Sequence, residues 1–185
     1  MAVRNNISSV ERRAGNISWL VYTIAVIGVA TLFFASVTEH GLDDHDADSF
    51  YDNARISQDF SYFFSPERHL ITGRPAADLS RWLASLVLGD SAANFHLLVV
   101  AAHVLAVLLL ARLVNALHRD CLWAWCSGLL FLVNVTHFQA VHWISALDYP
   151  LSLCWGLGAL LLFLHYEETG VRSALVSSYM LFAIG

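Results

Sequence analysis

The charges of this chain are confined to a few short stretches, and the sequence between them is apolar. Uncharged runs cover 14–38, 91–111, 121–147, 149–166 and 173–185. A helix crosses the hydrocarbon layer of a bilayer with about 20 apolar residues. The first four runs are each long enough to span, the fourth only just. The fifth reaches Gly185 after 13 residues, so the sequence is expected to end partway through a fifth helix. A soluble domain carries about 25% charged residues; here the share is 14%, against 57% hydrophobic. The expected fold is all-α, a polytopic transmembrane helical bundle with four full spans and a partial fifth. A net charge of −5 and the lack of a basic stripe exclude nucleic acid as a partner and leave membrane lipids as the expected surroundings. Cys121, Cys126 and Cys154 lie in apolar runs with no CxxC, and read as packing residues. No A-x-A-like cleavage site follows the stretch 17–37, which reads as a retained span rather than a signal peptide.

Charge also sets the expected topology. Positive residues stay on the cytoplasmic side. Arg4, Arg12 and Arg13, against Glu11, therefore put segment 1–16 in the cytoplasm and send the first span, 17–37, outward. The segment 38–90 holds ten acids against four arginines and suits an external face. The second span, 92–114, returns to Arg112, His118 and Arg119; the third, 121–138, goes out; the fourth, 149–166, comes back; and the fifth starts at 173. The expected setting is the inner membrane of a bacterium.

The external segment carries its own pattern. Leu79, Trp82, Leu83, Leu86 and Val87 form the apolar stripe of an amphipathic helix over 75–88, with Asp78, Ser80, Arg81 and Ser85 on the other face. Pro75 suits its first turn. Such a helix is expected to lie flat at the membrane surface, apolar face down. Phe60, Tyr62, Phe63 and Phe64 just before it suit the headgroup zone.

Three constellations could carry chemistry. Asp43, Asp44, Asp46 and Asp48 put four carboxylates within six residues directly after the first span. Crowded carboxylates raise one another's pKa, and one of them could serve as a base. Asp43, Asp44 and Asp46 could equally hold a divalent cation through oxygen ligands, and the plainest alternative is a solvated acidic loop. His96 and His103, seven residues apart, share one face of the second span. Polar groups within a membrane face a bundle interior or a cavity; interhelical packing and ligation of a pigment metal both fit the pair. His137, Gln139, His142 and Trp143 cluster at the outer end of the third span, on the same side as the carboxylates, where an ordinary interface belt is the alternative.

The order of these parts resembles the N-terminal region of the C-type glycosyltransferases, multi-pass enzymes that use polyprenyl-phosphate-linked sugars. The likeness is greatest to the protein O-mannosyltransferase-like branch and covers roughly residues 17–170. Asp43-Asp44 matches an aspartate pair in a first external loop, Arg74-Pro75 an Arg-Pro step, and Phe95-His96 with His103 the family's second helix. Gln139-Ala140-Val141-His142-Trp143-Ile144-Ser145 matches a closing E-A-V-x-W-I-S element. The resemblance implies that Asp43 or Asp44 acts as general base on an acceptor hydroxyl. It implies that the sugar carbon is attacked as the polyprenyl phosphate leaves, and that Arg74, Arg81 or a histidine neutralises that phosphate. His96, His103, His137, Gln139, His142 and Trp143 are then substrate-binding candidates. The sequence departs from the pattern twice: Gln139 replaces an acidic residue, and an amide cannot serve as a base, while Asn134-Val135 replaces His-Pro.

These departures and the small number of helices leave a second reading open. The chain would then be a non-catalytic accessory subunit of a larger membrane complex, respiratory or photosynthetic, with other membrane subunits as partners. A small transporter fits less well, because no charged residue sits mid-span.

Overall fold

A computed structural model describes the backbone of residues 2–39, 41, 44–69, 75–89, 91–134, 136 and 138–185, and the side chains of these except 2–17, 38, 44, 45, 138 and 139. The described residues form helices and connecting turns, without a strand. In chain order they are α1 (Ala2–Phe34), a 3-10 turn (Ala35–Glu39), α2 (Asp44–Gln58), a second 3-10 turn (Phe60–Phe64), α3 (Pro75–Leu88) and α4 (Ala92–His118). Then come α5 (Cys121–Leu132), α6 (Phe138–His142), a further 3-10 turn (Ile144–Leu147), α7 (Asp148–Thr169) and α8 (Arg172–Ile184). Three segments are long and apolar enough to cross a membrane: Ser18–Val37, Ala92–His118 and Ile144–Thr169. That composition is compatible with a membrane protein.

α4 is the central post. α5 and α7 pack along it, α1 crosses it, and α8 lies against α7. Small residues make the close approach: Ala102, Ala106 and Ala111 are buried along α4, as expected where helices associate by packing rather than by hydrophobic expulsion. Polar cross-links are few and short. Cys154 Sγ donates to the Ala102 carbonyl at 3.4 Å, and Ser178 Oγ donates to the Ala159 carbonyl at 2.8 Å, tying α8 to α7. On the α1 side Tyr22 stacks on Trp125 of α5 with ring centroids 5.6 Å apart, and Arg112 lies 4.1 Å over the Trp19 ring. Tyr22 rests where Gly128 has no side chain. A Cβ there would run into the Tyr22 hydroxyl and come within 3.2 Å of the Ala111 Cβ. Gly128→Ala is therefore expected to destabilise the bundle by about 1–3 kcal/mol through overpacking, read as a lower unfolding midpoint in detergent. An unchanged midpoint would show that Tyr22 moves aside freely.

Helix ends follow local chemistry. Asp120 caps α5 by accepting from the Leu122 and Trp123 amides at 2.8 and 3.4 Å, and Gly170 ends α7 in the left-handed region with φ 71°. The run expected to give a third span over 121–138 behaves differently. α5 stops after 12 residues at Leu132, about 18 Å at 1.5 Å per residue. Asn134 accounts for the stop. Its side-chain oxygen accepts from both the Thr136 amide (3.0 Å) and the Thr136 hydroxyl (2.9 Å), a turn that competes with helix. Phe131, near the end of α5, stacks on His103 at 5.3 Å, so α5 ends beside the first half of α4. The chain from α6 to Leu147 then folds back over α4 as a strap, burying Val141, Ile144, Ala146 and Leu147.

Candidate functional site at one end of the bundle

α2, α3 and the strap meet at the end of the bundle where α4 begins. Phe50 of α2 sets edge-on against Phe95 of α4 at 5.0 Å. The inward face of α2 is polar: Asp46, Ser49, Asp52 and Asn53 are buried together with Ile56, a helical repeat. α3 is inverted in the same sense. Asp78 and Arg81 are 4% and 3% exposed, while Leu86 and Val87 are 56% and 84% exposed.

Buried charges join these faces into a relay. Asp52 accepts from the Tyr62 hydroxyl at 3.4 Å and from the His69 amide at 3.1 Å, and pairs with Arg68 Nε at 3.8 Å. Arg68 Nη2 reaches Asp78 Oδ2 at 3.1 Å, and Arg81 Nη1 reaches Asp78 Oδ1 at 3.6 Å. Arg81 Nη2 then donates to the Ser145 carbonyl at 3.3 Å. The Ser145 amide donates to Asp46 Oδ1 at 2.7 Å, across 99 positions of sequence. Burial pulls the Arg81 pKa below its ordinary value; the carboxylates of Asp78, Asp148 and Asp46 oppose that shift, and a guanidinium stays charged in any case. Charges taken this far from water persist only when paired and hydrogen-bonded.

The sequence-predicted site residues fall into four groups. Asp43, Arg74 and His137 lie outside the described residues, as do the side chains of Asp44 and Gln139. Asp44 opens α2 and Gln139 lies within α6. His96 and His103 are buried on α4, and His103 sits between Phe34 of α1 (5.9 Å) and Phe131 of α5 (5.3 Å). The pair does share a face, and His103 points into packed core. His142 ends α6 and Trp143 leads into the last 3-10 turn, both half-buried. Arg81, expected to be available to a phosphate, is instead committed to Asp78 and Ser145. Asp46, expected beside Asp43 and Asp44 as a cation ligand, is 1% exposed, with one oxygen engaged by Ser145. Among the described residues no group of three His, Cys, Asp or Glu side chains is arranged to hold a metal ion.

Sequence reasoning missed Asp52, Arg68 and Asp148 as members of the cluster, and the backbone of Ser145 as its meeting point. The signal for α2 was the polar repeat at 46, 49, 52 and 53, which marks a buried face once the rest of the helix is read as facing away.

No family model, curated protein or solved structure matches this chain.

Proposed function

We propose that this chain is an integral membrane protein forming the reacting end of a glycosyltransferase that takes its sugar from a polyprenyl-phosphate donor. The observation that carries the reading is the Asp46–Ser145 hydrogen bond. It ties the carboxylate-rich segment to the segment 139–145, two of the four parts of the sequence that carry the glycosyltransferase resemblance. A base and a cationic phosphate site must share one small volume for such a transfer, and these segments share one end of the bundle.

In this reading Asp43 or Asp44 takes the proton from an acceptor hydroxyl. The hydroxyl oxygen then forms its bond to the anomeric carbon while the bond from that carbon to the phosphate oxygen breaks, releasing the polyprenyl phosphate. With Arg81 held by Asp78 and Ser145, neutralising the departing phosphate falls to Arg74, His137 and His142. The test is to incubate membranes containing the chain with a radiolabelled polyprenyl-phosphate sugar and to look for label in a hydroxyl acceptor. Membranes that transfer no more label than those lacking the chain refute the reading.

The membrane setting rests on the three apolar segments and on the inverted α3. A helix that buries Asp78, Arg81 and Ser85 while exposing Leu79, Leu83, Leu86 and Val87 suits a seat at the membrane surface, apolar face in the lipid. Phe60 and Phe64 continue that exposed surface, and Phe60 packs on Trp82 at 5.4 Å. In this setting the α2–α3 segment is external and the N-terminus cytoplasmic. A nitroxide at position 83 or 87 in reconstituted protein is expected to collide more often with oxygen than with a water-soluble nickel chelate. The reverse preference would place this face in water.

A further inference from the structure

We infer that Asp46 and Arg81 are positioning residues that grip the backbone of Ser145 from both sides and so set the strap, with His142 on it, against the first turn of α2. The inference rests on the glycosyl-transfer reading for its chemistry, but its geometry stands apart from it.

Ser145 is held entirely through its peptide groups. Its N–H donates to Asp46 Oδ1 at 2.7 Å, and its C=O accepts from Arg81 Nη2 at 3.3 Å. A carboxylate from α2 and a guanidinium from α3 thus close on one residue of a third segment. Both gripping side chains are almost fully buried, where a hydrogen bond to a charged partner is stronger than it is in water. The strap needs such a grip because it is short of internal hydrogen bonds: α6 has five residues and the following turn has four. Neither Trp143 nor Leu147, at the starts of the last 3-10 turn and of α7, makes a side-chain cap. Val141, Ile144 and Leu147 add apolar contacts, which resist separation from α4 better than they resist sliding along it.

The grip has a direction. Asp46 lies two residues after Asp44, on the opening turns of α2, and Ser145 lies three residues after His142. Fixing Asp46 to Ser145 therefore fixes the start of α2 relative to the end of α6. Two of the groups assigned to base and phosphate roles lie on those two pieces of backbone. Asp46 and Arg81 act through that backbone and need no contact with sugar or phosphate.

Amide hydrogen exchange of the whole chain in lipid nanodiscs tests the grip. Asp46→Ala removes the acceptor of the Ser145 amide, and exchange of peptides covering 138–147 is expected to quicken about tenfold or more, with the middle of α7 unchanged. Asp46→Asn keeps an oxygen in the same place and is expected to stay within about threefold of the parent, since the hydrogen bond survives in its neutral form. Ser145→Ala is expected to change nothing, because both contacts are to backbone. Should Asp46→Ala fail to accumulate, Asp46→Ser, whose hydroxyl ends one bond short, carries the same expectation. Parent-like exchange in Asp46→Ala or Asp46→Ser overturns the grip, and so does an Asp46→Asn variant as loose as Asp46→Ala.

Sugar transfer supplies the second readout. A loosened strap lowers kcat with little change in KM for the lipid-linked donor, and Asp46→Asn restores it. Transfer at the parent kcat with a demonstrably loosened strap overturns the positioning role. If the parent transfers no sugar while the exchange pattern appears as described, the grip stands and the glycosyltransferase reading falls.

Discussion

Asp44→Asn is expected to reduce sugar transfer by at least about 100-fold, the lower end of what a positioned general base contributes, without altering insertion of the chain in the membrane. The amide has the shape of the carboxylate but cannot take up the acceptor's proton. Asp44 opens α2, and the remainder of that helix is anchored independently through Asp46 and Asp52, so the substitution should leave the fold in place. The measurement is kcat for label transfer from a polyprenyl-phosphate sugar, with thermal unfolding of the same preparation as the control for folding. Transfer at the parent rate would remove Asp44 from the mechanism. Loss of transfer together with a collapsed unfolding midpoint would make it a structural residue.

Asp78→Ala carries the largest stability effect we expect in this chain. Among the described residues Asp78 is the carboxylate paired with both Arg68, at 3.1 Å, and Arg81, at 3.6 Å. Removing it leaves Arg68 with Asp52 and Arg81 with the Ser145 carbonyl, but takes away the carboxylate between two buried guanidinium groups that then repel each other. Deleting one partner of a buried ion pair costs up to about 3–5 kcal/mol when the surviving charge is left uncompensated, and here Asp52 and the Ser145 carbonyl offset part of that cost. Surface substitutions away from such features fall within about 0.5 kcal/mol. Chemical or thermal unfolding in a single detergent, with exposed Glu168→Ala as the comparison, separates the two cases. An Asp78→Ala midpoint equal to that of Glu168→Ala would show that water reaches the relay and screens it.

The sequence carried some of this well and some of it poorly, for reasons that differ from one segment to the next. α3 was legible to the residue, Pro75–Leu88, because its leucines and Trp82 repeat at helical spacing and Pro75 marks its start. Its two faces were legible too: the stripe of Leu79, Leu83, Leu86 and Val87 is the exposed one, and Asp78, Arg81 and Ser85 are buried. α2 was not. Its opening carboxylates were weighed as a base, a cation site or a solvated loop, and the inward placement of Asp46, Ser49 and Asp52 explains why such a polar segment is a helix. The apolar run 121–147 misled by length. Hydropathy adds up residues without noticing that the Asn134 side chain captures Thr136 and ends the helix, so one expected span became a short helix and a strap. His96 and His103 were correctly placed on one face. Which neighbours that face would meet depended on Phe34 and Phe131, distant in sequence and silent in the local pattern. The Ser145 contacts lay beyond sequence reading altogether, since they use backbone atoms that every residue has.

The inversion of α3 has a consequence for handling the protein. Its outward leucines and valine want hydrocarbon, and its inward aspartate and arginine complete a polar relay that ends on the strap. In the proposed setting the lipid surface is thus one wall of the reacting end. Solubilisation that strips this face bare gives α3 a reason to roll, and rolling would pull Arg81 away from Ser145. Preparations that keep a patch of native lipid should hold the strap in register, and harsh micelles should release it before the long helices separate.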